Sequence, residues 1–124
     1  MKIILFFIIL LHPILLLAWI SSNEGLNYTI DELYTLSDSI SYNDTLSQYD
    51  VECDIYILEN DTLSIEPGQI IEFHALHLVG HNIFYGFWIY GCLKAIGTEE
   101  EPITLGDPEF SFYDASYWSG IRFL

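Results

Sequence analysis

The stretch that decides the fold is Thr62–Phe73, which reads TLSIEPGQIIEF. Apolar and polar residues alternate on both sides of Glu66-Pro67-Gly68, and such alternation is typical of half-buried strands. Pro67 sets its own φ, and Gly68 can adopt the positive φ that a type II turn requires. We therefore expect two short strands joined by a tight corner. The residues that then face inward are Leu63, Ile65, Ile71 and Phe73.

The same alternation continues on both sides of this corner. It is present in VECDIYIL (Val51–Leu58), in FWIYGCLKAIG (Phe87–Gly97) and in GIRF (120–123), and these runs are separated by corners rich in Gly, Pro, Asn and acids. Strands this short and this unevenly spaced do not suit an ordinary sandwich. They suit stacked coils, in which each coil buries its inner face against its neighbours. Residues 51–124 are therefore predicted to form an all-β domain of coils.

The two cysteines are predicted to remain unpaired. In VECDIYIL the apolar face includes Cys53, so this thiol points inward. In the later strand Cys92 alternates with the apolar positions and points outward beside Lys94. Side chains on opposite faces cannot form a disulfide without backbone movement.

The order of these units resembles a known family. A strand, the TLSIEPGQIIEF corner, IYGCLKAIGTEEEPITL and WSGIRF follow one another as in the opening of bacterial exported right-handed parallel β-helix proteins, the pectate-lyase-like superfamily. The resemblance covers about Ile40 to Leu124 and implies an N-terminal cap followed by the first two to three coils. The residues that carry it are Glu66, Pro67, Gly68, Gly91, Leu93, Gly97, Thr98, Glu101, Pro102, Ile103, Trp118, Gly120, Ile121 and Phe123.

The chain departs from the family pattern in two ways. The connection HALHLVGHNIFYGF (74–87) is longer and more apolar than the family's, and the sequence stops at Leu124 as a third coil begins. Repeat arrays need a cap, and an uncovered last strand exposes unpaired backbone groups. We expect the chain to be a truncated N-terminal piece of a longer protein. The alternative is that this edge strand associates with another chain, including a second copy.

The N-terminal residues 1–22 are predicted to be a hydrophobic signal helix. Lys2 precedes an uncharged apolar run, Ile3–Ile20, which is the layout of a secretory signal peptide. A run of this length lies at the lower limit for crossing a bilayer, so an uncleaved anchor on a small membrane-bound protein is the alternative. The chain is thus expected to be secreted or at the cell surface, with membrane contact only through this segment.

Residues 23–50 are interpreted as a polar linker that ends in a capping strand near Ile40–Leu46. The segment is rich in Ser, Asn, Asp and Tyr and shows no sustained helical period. IDELYTL (Ile30–Leu36) has room for about two helical turns, but nothing in this segment marks a stable helix.

The strongly acidic composition excludes one class of partner. Eighteen Asp and Glu face three Lys and Arg, for a net charge of −15, and such a chain repels phosphate backbones. Nucleic-acid binding is therefore excluded. Carboxylates outside the cell can collect Ca²⁺, and the weak candidates are Asp107, Glu109 and Asp114. A solvated acidic surface without any cofactor is the favoured interpretation.

The histidines His74, His77 and His81 form an H-x2-H-x3-H array. On a helix these spacings would put three imidazoles on one face, where they could bind Zn²⁺. On a strand His74 faces away from the other two. The favoured interpretation is therefore three loop histidines without a metal.

These observations favour a non-catalytic structural or binding segment of an exported or cell-surface parallel β-helix protein. Its aromatic clusters, NIFYGFWIY and FSFYDASYW, are interpreted first as core and coil-stacking residues, and the alternative is that they bind carbohydrate or a cell-surface protein. The alternative is an N-terminal fragment of a carbohydrate-active enzyme, a polysaccharide lyase or hydrolase, whose catalytic coils are absent. A lyase needs a basic residue beside the scissile uronate, and only Lys94 and Arg122 remain once residues 1–22 are removed.

Overall fold

The structure, a computed structural model, describes residues 18–106 and 118–124. The described part is mostly β, with one short helix, α1 (Ile30–Leu36). The strands are β1 (Ala18–Ile20), β2 (Asn27–Thr29), β3 (Ile40–Asn43), β4 (Gln48–Val51), β5 (Asp54–Ile57), β6 (Thr62–Ile65), β7 (Ile70–Phe73), β8 (Leu76–Leu78), β9 (His81–Ile83), β10 (Gly86–Ile89), β11 (Cys92–Ala95), β12 (Thr104–Leu105) and β13 (Gly120–Phe123).

Most of these strands pair in parallel within three sheets. Sheet A has the order β1-β5-β10-β13, sheet B the order β2-β6-β11, and sheet C the order β3-β4-β7-β12. Only β3 with β4, and the separate hairpin β8–β9, pair antiparallel. The chain visits sheets A, B and C in turn and then returns to sheet A, where the next strand pairs with that of the previous round. The prediction of a mostly β fold is confirmed, and the parallel sheets are compatible with a β-helix.

The register stacks like residues above one another and so creates the core. In sheet A, Trp19, Ile55, Phe87 and Ile121 occupy equivalent positions on successive strands. Ile55 and Phe87 are fully buried, and the Phe87 ring meets Phe73 edge to face, with the ring centroids 5.0 Å apart. The predicted inward-facing residues of the opening corner, Leu63, Ile65, Ile71 and Phe73, are all buried.

The corner between β6 and β7 has the predicted geometry. Gly68 has a φ of +79°, and the Gln69 N–H donates to the Glu66 carbonyl over 3.3 Å. The Gln69 side chain reinforces the turn, since its Oε1 accepts from the Glu66 N–H at 2.8 Å. A type II turn is therefore confirmed, because positive φ at its third residue and closure by the fourth are its signature.

The predicted orientation of the cysteines is also confirmed. Cys53 is buried, Cys92 is exposed, and both are free thiols. Burial, followed by the nearby Asp54 carboxylate, raises the pKa of the Cys53 thiol to about 12. Cys53 therefore packs as a small apolar side chain rather than reacting as a thiolate.

The interpretation of residues 23–50 as a linker without a stable helix is wrong for Ile30–Leu36. Thr29 and Glu32 form a capping box: the Thr29 hydroxyl accepts from the Glu32 N–H, and the Glu32 carboxylate accepts from the Thr29 N–H. Ile30 and Leu33 are completely buried against the sheets. The cap and two core contacts stabilise a helix that has little period of its own.

Two of the predicted strands are each divided by a corner. VECDIYIL spans the end of β4 at Val51 and the start of β5 at Asp54, and FWIYGCLKAIG is broken between Ile89 and Cys92. At the second break a Cβ on Gly91 would collide with the carbonyl oxygens of Leu58 and Asp61. The close approach of neighbouring turns thus requires glycine at this corner.

The structure does not support the predicted N-terminal signal helix. Of residues 1–22, it describes only the end, where Ala18–Ile20 is strand β1 and pairs in parallel with β5. Trp19 meets Tyr28 edge to face at 5.0 Å, and the buried Ser21 hydroxyl accepts from the Leu58 N–H at 2.8 Å. Within the described ranges no helix is long and apolar enough to cross a membrane.

Candidate binding pocket and metal cluster

An open pocket of about 400 Å³ lies between α1 and the hairpin formed by β3 and β4. We call it the tyrosine pocket, and it is lined by Asp31, Tyr34, Tyr42, Asp44 and Tyr49. Asp31 and Tyr34 come from the helix, and Tyr42 and Tyr49 are register partners on the two strands. The capping box of α1 and the antiparallel pairing of the hairpin therefore position its walls.

The three tyrosine rings are packed against one another. The Tyr49 ring lies 5.0 Å from Tyr42 and 6.3 Å from Tyr34, each at an angle of 60°. Tyr49 is buried, whereas Tyr34 and Tyr42 are 46% and 40% exposed. The pocket thus presents two accessible rings on a buried third one.

Hydrogen bonds fix the back of the tyrosine pocket. The Tyr49 hydroxyl donates to Oδ1 of Asp31, and Nε2 of Gln69 donates to Oδ2 of Asp31 at 3.3 Å. Burial, and then the hydrogen bond to Asp31, raise the pKa of Tyr49 well above its usual value. Tyr49 therefore remains a protonated donor at physiological pH. The pocket combines aromatic faces with carboxylate acceptors, and its lining contains no cationic side chain.

A second group of polar side chains lies on the outer face of sheet C. The register of β4 on β7 sets Asp50 directly opposite Glu72. Nε2 of His74 lies 3.1 Å from Oδ1 of Asp50 and 3.8 Å from Oε2 of Glu72. The buried Gln48 amide donates to both carboxylates, at 2.7 Å to Asp50. These side chains line an open groove of about 370 Å³.

The structure groups His74 with carboxylates rather than with His81. The ligand atoms of Asp50, Glu72 and His74 all lie within 4.8 Å of one another. Among the described residues, these three form the one group of His, Cys, Asp and Glu side chains close enough to hold a metal ion. His81 is instead exposed in strand β9. His74 and His81 are therefore not brought together in one site. Sequence alternation puts Asp50 and Glu72 on outward positions, but only the register of β4 and β7 reveals that they meet.

The outer face of sheet A carries a stack of three side chains, Tyr56, Trp88 and Arg122. The Tyr56 and Trp88 rings are stacked 5.6 Å apart at 5°, and the Arg122 guanidinium lies 4.4 Å from the centre of the Trp88 ring. Both faces of Trp88 are therefore occupied within the protein. Arg122, a candidate base in the enzyme alternative, is engaged in a cation–π contact.

The residues that carry the family resemblance lie at corners and in stacked strands. Trp118 stacks on Phe73 at 5.6 Å, and the Thr98 hydroxyl accepts from the Glu101 N–H at 2.9 Å. Glu66, Pro67 and Gly68 form the β6–β7 corner, Gly91 the β10–β11 corner, and Gly97, Thr98, Glu101, Pro102 and Ile103 the β11–β12 corner, while Leu93 lies in β11 and Gly120, Ile121 and Phe123 in β13.

The Ca²⁺ candidates Asp107, Glu109 and Asp114 lie outside the described residues.

The resemblance therefore rests on the order of its motifs and on the parallel stacking of the strands. Comparison with protein-family models, with curated proteins and with solved structures gives no match for this chain.

Proposed function

We propose that the chain is a non-catalytic structural and binding module of a secreted or cell-surface protein built as a right-handed parallel β-helix, and that it binds carbohydrate through the tyrosine pocket. The β-helix is supported by the return of the chain to sheets A, B and C in turn, with a parallel partner at each return. The tyrosine pocket is the observation that carries the binding role.

The lining of the pocket suits sugar rings. Tyrosine faces pack against the C–H face of a pyranose while the phenol tip remains hydrated. The Asp31 and Asp44 carboxylates can accept hydrogen bonds from sugar hydroxyls, and charge-assisted bonds are the stronger kind. A volume of about 400 Å³ lies within the usual range for small-molecule sites.

Charge selects among polysaccharides. With a net charge of −15, the chain repels polyuronates, which are the substrates that the lyase form of the enzyme alternative requires. Neutral glycans are not repelled, and amino sugars are attracted to the two aspartates. We therefore place chito-oligosaccharides, with free amines on some rings, first among the ligands.

Binding of partly deacetylated chitohexaose, cellohexaose and hexagalacturonate, measured by isothermal titration calorimetry, tests this proposal. We expect the chitosan-type and neutral sugars to bind and the galacturonate to be excluded. Tyr34→Ala should weaken binding about two- to tenfold, because it removes one ring contact. Tyr90→Ala is the matched control, since Tyr90 is also 46% exposed but does not line the pocket.

Equal affinities of the two variants would remove the tyrosine pocket as the binding site. Preferential binding and eliminative cleavage of hexagalacturonate would instead favour the enzyme alternative. Export is tested separately, by amino-terminal sequencing of any product recovered from the culture medium.

A further inference from the structure

We propose that Asp50, Glu72 and His74 form a binding site for a divalent transition metal ion of the Zn²⁺ type. This site is on the outer face of sheet C and is independent of the tyrosine pocket. The donor set is mixed, with one carboxylate from β4, one from β7 and an imidazole from the residue that directly follows β7.

The distances between the donor atoms fit a single ion. Nε2 of His74 is 3.1 Å from Oδ1 of Asp50 and 3.8 Å from Oε2 of Glu72. Ligands about 2.0–2.2 Å from a tetrahedral Zn²⁺ lie roughly 3.3–3.6 Å from one another. The two His74 distances differ from this spacing by only a few tenths of an ångström, about the size of ordinary side-chain motion, and the two carboxylate oxygens lie within 4.8 Å of each other.

The electrostatics of the site call for a cation. Asp50 and Glu72 face each other across paired strands, and each side chain is only about one-fifth exposed. Like charges directly opposite in a sheet are destabilising. Lys94 is on sheet B and Arg122 is stacked on Trp88 in sheet A, so neither neutralises the pair. A cation bound between the two carboxylates would supply the missing positive charge.

The surroundings hold the ligands in place and leave one side open. Gln48 is buried and donates to both carboxylates, which fixes their orientation as an outer hydrogen-bond partner does in metal sites. The groove of about 370 Å³ in front of the three residues has room for water or a small ligand at a fourth position. An imidazole ligand favours Zn²⁺, Cu²⁺ or Ni²⁺ over Ca²⁺ and Mg²⁺. A bound ion would tie β4 to β7 and thereby clamp two successive turns of the chain.

Titration of the tag-free, chelator-treated protein with ZnCl₂ and, separately, with CaCl₂ tests the proposal. We expect one Zn²⁺ per chain, with His74→Ala weakening binding at least about tenfold. His81→Ala is the matched control, because His81 is exposed and lies outside the cluster. We also expect Zn²⁺ to raise the melting temperature of the wild type and of His81→Ala but not of His74→Ala, since an ion bound only to the folded state stabilises it.

Asp50→Asn provides a second variant that removes a charge while it keeps the side-chain shape, and it should also weaken Zn²⁺ binding. No Zn²⁺ binding to the wild type would overturn the proposal. Equal Zn²⁺ affinity in His74→Ala and His81→Ala would overturn it too, by placing the ion elsewhere. Stronger binding of Ca²⁺ than of Zn²⁺ would contradict the proposed class of metal.

Discussion

Asp61 shows how a single buried carboxylate links two turns of the chain. It is 1% exposed, and its oxygens accept from the N–H groups of Asn23 at 2.6 Å and of Gly25 and Leu26 at 2.9 Å. Burial by itself raises the pKa of Asp61, but the hydrogen bond from the Ser21 side chain, followed by these three backbone N–H groups, holds the pKa below its usual value. The carboxylate is thus ionised and ties the segment after β1 to the β5–β6 corner.

Asp61→Asn should lower the free energy of unfolding by about 1–3 kcal/mol at pH 7, because the amide cannot replace both acceptor oxygens. A group whose pKa is lowered by folding stabilises the folded state above its unfolded pKa of about 3.9 and loses that contribution as pH falls through its folded value. The difference between wild type and Asp61→Asn should therefore narrow between about pH 5 and pH 2. Urea unfolding at several pH values measures it.

Glu59→Gln is the control for Asp61, since Glu59 is an exposed acid in the same corner. Its effect should stay within about 0.5 kcal/mol. An Asp61→Asn variant as stable as Glu59→Gln would contradict the role assigned to the carboxylate. The sequence alone identifies Asp61 only as a turn residue, because its partners lie 35 to 38 positions earlier in the chain.

At the scale of elements, the stability of α1 depends on the capping box at its N-terminus. The helix has seven residues, and helices this short are marginal in water without tertiary contacts. Thr29→Ala should therefore lower the free energy of unfolding by about 0.5–2 kcal/mol. The same change should weaken sugar binding at the tyrosine pocket, because α1 supplies Asp31 and Tyr34. Chemical denaturation and calorimetry on the same samples check both effects.

Thr45→Ala is the control for Thr29→Ala. Thr45 is an exposed residue of the β3–β4 turn, and its hydrogen bond to Asn43 uses the backbone N–H rather than the side chain. A destabilisation equal to that of Thr29→Ala would show that the capping box contributes nothing specific. The capping box T-x-x-E is readable in the sequence at Thr29 and Glu32. The capping box alone does not predict the helix, because the helix is stabilised by the burial of Ile30 and Leu33, and this burial requires the sheets.

Alternation predicted the faces of the strands better than their ends. The buried positions Val51, Cys53, Ile55 and Ile57 follow the predicted parity, although a corner separates the first from the last two. Cys53 lies in this corner and faces inward. It continues the alternation, so the sequence pattern does not reveal the corner. Ala95 alternates in the sequence with the inner position Leu93, yet it is exposed, because the end of β11 extends past the core that covers Leu93.

For the molecule as a whole, stability should be greatest where a strand has parallel partners on both sides. β5 and β10 in sheet A, β6 in sheet B and β7 in sheet C each lie between two parallel partners. The amides of these four strands should exchange most slowly with deuterium, since opening them disrupts the core. The hairpin β8–β9, with Leu76, Leu78 and Val79 exposed, should exchange fastest among the paired strands. Hydrogen exchange read by mass spectrometry checks this order, and equal protection of the hairpin and β10 would contradict it.

The sequence was most informative about architecture and least informative about sites. Short strands, the Glu66-Pro67-Gly68 corner and the order of motifs all predicted parallel stacking, because these are local signals. The tyrosine pocket and the metal cluster depend on which residues of distant strands share a register. Tyr49 meets Tyr34 through α1, and Asp50 meets Glu72 through sheet C. A one-residue slip would separate both pairs and leave the local pattern nearly unchanged.

The hairpin β8–β9 occupies the passage from β7 in sheet C to β10 in sheet A, whereas the earlier passage between these sheets, from β4 to β5, is a corner of two residues. It adds length without disturbing the register of β7 on β4 or of β10 on β5. The entropy of closing a loop rises only slowly with its length, so such a passage can lengthen or shorten at little energetic cost. The regular stacked core is therefore structurally separate from the corners, and the length of each corner can change without altering the register of the core strands.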